Sequence, residues 1–545
     1  MDKKYIAGGF IFWIGVSGYM GLRILESYTE DAVFAALSAV PAQAQEIKYS
    51  FLENSLMLKG VEYEFPDDKI MHKGTIESVS VKGFNRKCMF VKPGMPPYDA
   101  DTLPIVAQGV TLQGVVDNLH VGKTKITQKV DEIKLEGWYQ RLGMLLDQKS
   151  QHKGEESFYE EMYRCRIDEL EMNSLAMEYV KPDAEPLHAS VEKIALAGGI
   201  RAPRGIEKTS LVSMYLEGLR FSGRSDSGEA FSGGVQRMDI KDFLPPSPAV
   251  LAAFNKFSSE KEETLPEMTV SSVKKMEQCL ELFQKNYADR NPLSLFGMQG
   301  VNFAFGGDAS QKDANSFTPF SLSVNGFSCM FSQLNAESRK NTVNLSALHI
   351  NSPVFQNDAV LKRYAAEGIT LNMNSEAIAG AEDIVWKSRY ELEGLGKMEG
   401  DLAVSGEREL MQKLFGANMD SVDPYQLMQK IQVNRMNFTY DDSGLLALCV
   451  ELSARRDGIS PEEEQKELFH IVDELSEYSE KKAKELGNAL REQFTSPGQF
   501  SIAFTPSKPM TFMKIGTMLF SSPDELPVFF ASKAGEKPLK EYLKK

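Results

Sequence analysis

A repeated eight-residue phrase, apolar-x-x-apolar-x-apolar-x-Gly, limits what this chain can fold into more than any other feature. Four copies are complete: Ile76, Val79, Val81 and Gly83; Val130, Ile133, Leu135 and Gly137; Val191, Ile194, Leu196 and Gly198; and Leu211, Met214, Leu216 and Gly218. Shorter versions stand at Leu56-Leu58-Gly60, Val110-Leu112-Gly114, Leu322-Val324-Gly326, Tyr390-Leu392-Gly394 and Leu402-Val404-Gly406. Alternation at period two lines apolar side chains along one face of a strand, and the closing glycine suits a bend, bulge or turn where the strand ends. Each copy therefore predicts a strand-and-turn unit. The glycines are 31 residues apart from Gly83 to Gly114 but 20 from Gly198 to Gly218, which argues against a solenoid of fixed period and for a long, imperfect antiparallel sheet. Further alternation at Ile47-Tyr49-Phe51, Val61-Tyr63-Phe65, Met436-Phe438-Tyr440 and Phe500-Ile502-Phe504 adds strands.

Helices interrupt this plan. Val273, Met276, Leu280, Phe283 and Tyr287 step by three and four, which draws one apolar stripe between Pro266 and Pro292. A second helix opens with Ser460 as cap, Pro461 at the first helical position and Glu462, Glu463 and Glu464 in the first turn. It runs through Leu468, Leu475 and Leu486 toward Phe494 and ends near Pro497-Gly498. The run from Glu407 to Ile431 reads as two shorter helices broken around Asp423-Pro424. The proline-rich stretch 243–248, followed by charged 258–264, is the best internal boundary. The expected organisation is a transmembrane anchor over 1–25, a membrane-proximal helix over 26–44, a β-repeat region over 45–245, a helical linker over 246–295 and a second β-rich region with helical insertions over 296–545.

The anchor rests on the run from Tyr5 to Leu22, which contains no charged residue and carries Phe10, Ile11, Phe12, Trp13 and Ile14 at its centre. As a helix its 18 residues would reach about 27 Å, close to the roughly 30 Å of a bilayer's hydrocarbon core. Lys3 and Lys4 precede it and Glu26, Glu30 and Asp31 follow it, so the positive-inside rule keeps the N-terminus in the cytoplasm and exports the rest. The competing reading is a cleaved secretory signal with Ala42-Gln43-Ala44 as its cleavage site; that pattern lies too far from Leu22 for an ordinary signal, and either reading exports the body. Thr29 as cap, Glu30 and Asp31 in the first turn, and Val33, Phe34, Leu37 and Val40 on one face predict the short helix that follows, ended by Pro41.

Composition narrows the chemistry. A net charge of -15, with no cluster of Lys and Arg, argues against a nucleic-acid partner. Cys88, Cys165, Cys279, Cys329 and Cys449 are odd in number and widely spaced, and they specify neither a metal site nor a disulfide framework; they read as small buried hydrophobes, with one long-range disulfide left open by an exported location. The six histidines are scattered singly, so no cofactor or metal is expected. Gly122-Lys123-Thr124 lacks the leading glycine of a phosphate loop, and Gly223-Arg224-Ser225-Asp226-Ser227 fails the nucleophile-elbow pattern at its last position. Asp441-Asp442-Ser443-Gly444 reads as a hairpin turn between the strand ending at Tyr440 and the apolar run Leu445 to Val450. None of these predicts an enzyme.

The order of parts, with Lys3-Lys4, one apolar helix, the helix around Val33 to Val40 and then strands such as Val191-Glu192-Lys193-Ile194-Ala195-Leu196-Ala197-Gly198, resembles the AsmA-like and YdgA-type periplasmic proteins of Gram-negative bacteria. The segment from Phe438 to Leu445 is similar in style to their C-terminal parts. The resemblance implies a single-pass inner-membrane protein of α+β, mainly β class, with an elongated antiparallel periplasmic body and inserted amphipathic helices. It implies lipid handling or envelope homeostasis, with phospholipid held on an apolar β-surface. A non-enzymatic scaffold for envelope assembly, with a protein partner, is the alternative. The shorter length and the helices between strands depart from the large bridge-like members and favour a local role near the inner membrane.

Overall fold

A computed structural model of the chain describes residues 42–67, 70–83, 105–121, 124–139, 166–182, 185–197, 212–225, 229–243, 294–306, 320–335, 338–415, 423–477 and 480–543, preceded by Ser27, Glu30, Asp31 and Val33. The Tyr5 to Leu22 run, including Phe10, Ile11, Phe12, Trp13 and Ile14, lies outside them, as does the predicted helix at 273–287. Among the described residues no helix is long and apolar enough to cross a membrane. The described chain is mainly antiparallel β-sheet, as the repeats predict. It divides into two units, Met1–Gly228 with Arg237–Asn286, and Glu229–Gln236 with Tyr287–Lys545.

In the first unit β1 (Ala42–Ser50), β2 (Ser55–Asp67), β3 (Ile70–Lys82), β4 (Ile105–Val121), β5 (Thr124–Tyr139), β6 (Arg166–Val180), β7 (Leu187–Ala197) and β8 (Val212–Arg224) each pair antiparallel with the next. The strand β9 (Ala230–Phe243) is divided between the units after Gln236. The register brings equivalent apolar positions of the repeats directly opposite one another. One row runs Leu58, Val79, Leu112, Ile133, Met172, Ile194 and Leu216 from β2 to β8. The row beside it runs Leu56, Val81, Val110, Leu135, Leu170, Leu196 and Met214. Cross-strand apolar pairs of this kind are the unit of sheet stabilisation. Over β2 to β4 the row residues Leu56, Leu58, Val79, Val81 and Val110 are buried with Tyr49, Val61 and Ala107, Leu112 is partly buried, and Val33 from the preceding helical segment packs into the same cluster. The Glu30 carboxylate accepts the Tyr49 N–H at 2.7 Å, tying that segment to β1.

The glycines correct the sequence expectation. Gly60, Gly114, Gly137 and Gly218 sit inside strands rather than at their ends, all with φ between 58° and 66°. Among the described repeat glycines, Gly83, Gly394 and Gly406 follow a strand or make its turn. Gly60 on β2, Gly114 on β4, Ser174 on β6 and Gly218 on β8 stand at one height across the sheet, and all are left-handed. At the same height the intervening strands place Gln45, Glu77, Asp131 and Glu192, and from β1 to β7 the ladders skip each of these facing pairs. A Cβ on Gly114 would stand 2.8 Å from the Glu77 Cβ, and one on Gly218 would stand 2.4 Å from the Glu192 Cδ. On β2 the left-handed Gly60 lies between Leu58 and Val61, which stand three apart and are buried in the same cluster.

The second unit holds β10 (Leu295–Phe305), β11 (Phe320–Asn335), β12 (Ser338–Asn351), α1 (Pro353–Asn357), α2 (Leu361–Ala365), β13 (Ile369–Ala379), β14 (Asp383–Leu392) and β15 (Gly396–Ser405). There follow α3 (Arg408–Phe415), α4 (Pro424–Lys430), β16 (Gln432–Asp442), α5 (Leu445–Asp457), α6 (Pro461–Glu477) and α7 (Lys481–Thr495). The chain closes with β17 (Gln499–Phe504), β18 (Met510–Thr511), α8 (Phe512–Ser521), β19 (Val528–Lys533) and α9 (Leu539–Tyr542). Consecutive strands β10 to β17 again pair antiparallel, and β19 returns beside β17. The left-handed device recurs at Gly300, whose Cβ position abuts Gln236 on the part of β9 in this unit. It recurs at Ala347, whose N–H donates to the Asn372 Oδ1 at 2.7 Å.

Two helix expectations hold and two change. Asp423 caps α4 by accepting the Tyr425 N–H at 2.9 Å, and the break at Asp423-Pro424 stands as read. Ser460 and Glu463 form a reciprocal capping box, with the Ser460 N–H donating to Glu463 at 2.9 Å and the Glu463 N–H donating to the Ser460 hydroxyl at 3.2 Å. The single helix expected from Ser460 to Phe494 is instead the antiparallel pair α6 and α7. Its apolar stripe folds back on itself, with Phe469 edge-on to Phe494 at 6.4 Å and Gln465 donating to the Phe494 carbonyl at 3.0 Å. The expected hairpin at Asp441 to Gly444 is a strand-to-helix junction, because Leu445 to Val450 is helical.

Candidate functional site

The first candidate surface is the apolar face of the first unit. Leu56, Leu58, Val79, Val81 and Val110 on β2 to β4 are buried, but Leu170, Met172, Ile194, Leu196, Met214 and Leu216 on β6 to β8 are only partly buried. Each is fixed by its strand partner, Ile194 opposite Leu216 and Leu196 opposite Met214. The side chains offer no charge or hydrogen bond, so this face can do one thing chemically: remove apolar surface from water. On the opposite face of these strands the carboxylates Glu171 and Glu132 are held below the usual range by Lys193 and Lys134 beside them.

The second candidate is a buried polar cluster where β16 enters α5. Asp442 is 6% exposed, and its carboxylate accepts the Gly444 N–H at 2.9 Å, the Leu446 N–H at 3.0 Å and the Tyr440 hydroxyl at 3.0 Å. It thus satisfies the orphan amides at the start of α5. Glu451, one turn and a half further along α5, accepts from the Arg363 guanidinium and from the Tyr364 hydroxyl at 2.8 Å, both carried by α2. The Tyr364 hydroxyl also lies 3.4 Å from the Tyr542 carbonyl on α9. Burial holds the Asp442 carboxyl above the usual carboxylate range, and burial with the neighbouring Asp442 charge pushes the Tyr440 hydroxyl up as well. The Cys449 thiol is raised by the same two causes, opposite to what an activated nucleophile needs. Each carboxylate in the cluster is already occupied by donors, which describes a clamp holding α5 against β16 and α2 and not an acid–base pair.

One pH effect follows. Asp442 binds its proton more tightly in the folded chain than in the unfolded one, so the stability this gives is complete below the unfolded carboxylate value and is lost as pH rises through the folded value. Compared with Asp442→Asn, the wild-type chain should lose relative stability from about pH 4 upward, near the unperturbed aspartate value. Urea unfolding of both proteins at acidic and neutral pH checks it; a wild-type advantage that grows with pH would contradict it.

The residues singled out in sequence are not brought together. Cys329 on β11 and Cys449 on α5 are free thiols, while Cys88, Cys165 and Cys279 lie outside the described residues. The His349 Nδ1 meets the Thr370 hydroxyl at 3.0 Å across β12 and β13, and His470 faces Glu474 on α6. Thr124 opens β5, and Gly122 and Lys123 lie outside the described residues. Among the described residues no group of three His, Cys, Asp or Glu is placed to hold a metal. Sequence reasoning missed the carboxylate clamp. The signal was an acid followed two residues later by Gly444, read as a turn.

The chain is mainly antiparallel β-sheet, and the strands of its first unit carry an apolar face. A family model described as an uncharacterized protein matches residues 389–534, a stretch holding β15 to β19 and the Asp442 junction. No curated protein matches the chain.

Proposed function

We propose that this chain is an envelope protein that handles lipid at the bacterial inner membrane, anchored by its N-terminal run with the N-terminus cytoplasmic and the β-body periplasmic. Acyl chains would lie against the partly covered apolar rows of β6 to β8. The observation that carries this reading is that the same two rows are buried under the chain's own residues at one end and only partly covered at the other. Residues such as Leu196 and Leu216 would gain about 0.8 kcal/mol for each lipid CH₂ removed from water with them. The resemblance to AsmA-like and YdgA-type proteins supports the same compartment and ligand class.

The test is the lipid content of the chain purified without residues 5–22, measured by mass spectrometry after extraction. Phospholipid is expected to co-purify with it, and to fall several-fold in Ile194→Glu/Leu216→Glu, which places two carboxylates directly opposite each other in the apolar rows. Lipid-free preparations of a folded wild-type body would sink the reading. A stable protein partner on crosslinking in place of lipid would favour the scaffold.

A further inference from the structure

One row of the first unit's sheet begins polar and ends apolar. Tyr63 on β2, Gly74 on β3, Asp117 on β4, Gln128 on β5, Met177 on β6, Ala189 on β7 and Phe221 on β8 stand directly opposite one another in turn. Tyr63 lies two residues beyond buried Val61, and Asp117 two beyond Val115, the partner of Ile76, so alternation turns both toward the apolar face. Gln128, two before buried Val130, joins them. The neighbouring row, Val61, Ile76, Val115, Val130, Leu175 and Val191, is apolar throughout. Tyr63, Asp117 and Gln128 are partly exposed.

The polar end is assembled across three strands. The Tyr63 hydroxyl donates to the Asp117 carboxylate on the far side of β3, and Gly74 leaves room for it, since a Cβ there would stand 2.3 Å from the hydroxyl oxygen. Burial, then the Asp117 charge and the hydrogen bond, push the Tyr63 hydroxyl up to about 12, so at neutral pH it keeps its proton and acts as the donor. A neutral amide at 117 would receive the same hydroxyl; a carboxylate adds attraction for a cationic N–H donor. From β4 to β8 four strand spacings of about 4.8 Å give roughly 19 Å, comparable with the roughly 15 Å that one leaflet contributes to a bilayer's hydrocarbon core. An amphiphile with its head at Asp117 can therefore lay its chains over the partly covered rows of β6 to β8. We propose that Asp117, positioned by Tyr63, selects lipids whose head carries a primary ammonium, the phosphatidylethanolamine class. This rests on acyl chains lying over β6 to β8 and names the lipid that lies there. A choline head has no N–H to donate, and a glycerol head has no positive charge to set against the carboxylate.

The test uses the full chain with a photo-crosslinking amino acid in place of Met177, the partner of Gln128 in the row. The chain is placed in vesicles of equal parts phosphatidylethanolamine, phosphatidylglycerol and phosphatidylcholine, and the lipid class of the adducts is read by mass spectrometry. Phosphatidylethanolamine adducts should exceed each of the others about five-fold, and Asp117→Asn should bring them within about two-fold of the supplied ratio at unchanged total yield. Asp117→Glu, which keeps the charge, should keep the excess. Because Asn still accepts the Tyr63 hydroxyl, a purely structural role for Asp117 would leave the ratio unmoved. Adducts without selection in the wild-type chain, or an excess that survives Asp117→Asn, overturn this proposal alone. No lipid adduct at 177 would contradict acyl chains on this face, and this proposal with them.

Discussion

Arg363→Leu should lower the stability of the second unit by about 3–5 kcal/mol, the usual cost of removing one partner from a buried ion pair. The Glu451 side chain is 1% exposed and depends on the Arg363 guanidinium and the Tyr364 hydroxyl for its compensation. Without the guanidinium a buried carboxylate keeps one neutral donor, the Tyr364 hydroxyl, and the tie between α5 and α2 is weakened. Replacing both partners, Arg363→Leu/Glu451→Leu, removes the charge along with its compensation and should recover most of the loss. Urea unfolding of the three chains at neutral pH measures both effects. A loss below about 1 kcal/mol for the single variant, the size of a surface pair, would mean that the clamp does not hold α5.

Phe504→Ala is expected to cost a similar amount, about 3–5 kcal/mol, from lost transfer energy and the cavity left behind. Phe504, on β17, is 1% exposed and lies at the centre of a cluster with Met411, Ile431, Val433, Met510 and Leu526. Those residues come from α3, the α4 to β16 junction, β16, β18 and the turn before β19, so the cavity would loosen the contact of helices with sheet across much of the region that the family model matches. The control is Ile471→Ala on the exposed side of α6, expected within about 0.5 kcal/mol of wild type. Equal effects for the two variants would contradict the placement of this core.

The strands were legible because their apolar positions repeat, and every complete copy of the phrase that the structure describes contributes to a strand. What the glycine does was not legible. A closing glycine after alternating residues fits a turn and a mid-strand left-handed residue equally well, and only the neighbouring strands decide between them. A clue was present in the phrase itself: Glu77, Asp131 and Glu192 each follow the first apolar residue, six positions before the glycine. These polar residues stand at the height of the left-handed residue of the adjacent strand, a relation between strands that no single copy displays.

The Asp442 junction failed for a related reason. Asp-Asp-Ser-Gly satisfies the chemistry of a tight turn, and Leu445 to Val450 is apolar enough for a strand. The long-range partners decide for helix: Glu451 must reach Arg363 and Tyr364 on α2, and Ala447 and Val450 must pack with Leu539 on α9. By contrast, the capping box at Ser460 was readable because its reciprocal hydrogen bonds span three residues. The single helix expected beyond it failed because a stripe of constant period does not reveal where a chain folds back. The apolar face of the first unit was visible as a pattern, while its division into covered and partly covered ends depends on what packs above it.

Joining the C-terminus to alkaline phosphatase, which is active only outside the cytoplasm, or to a reporter that works only inside, bears most directly on the proposed compartment. In intact bacterial cells the phosphatase fusion should be active and membrane-bound, and the cytosolic reporter silent. A working cytosolic reporter at that position would contradict an exported β-body, and with it the proposed encounter with envelope lipid.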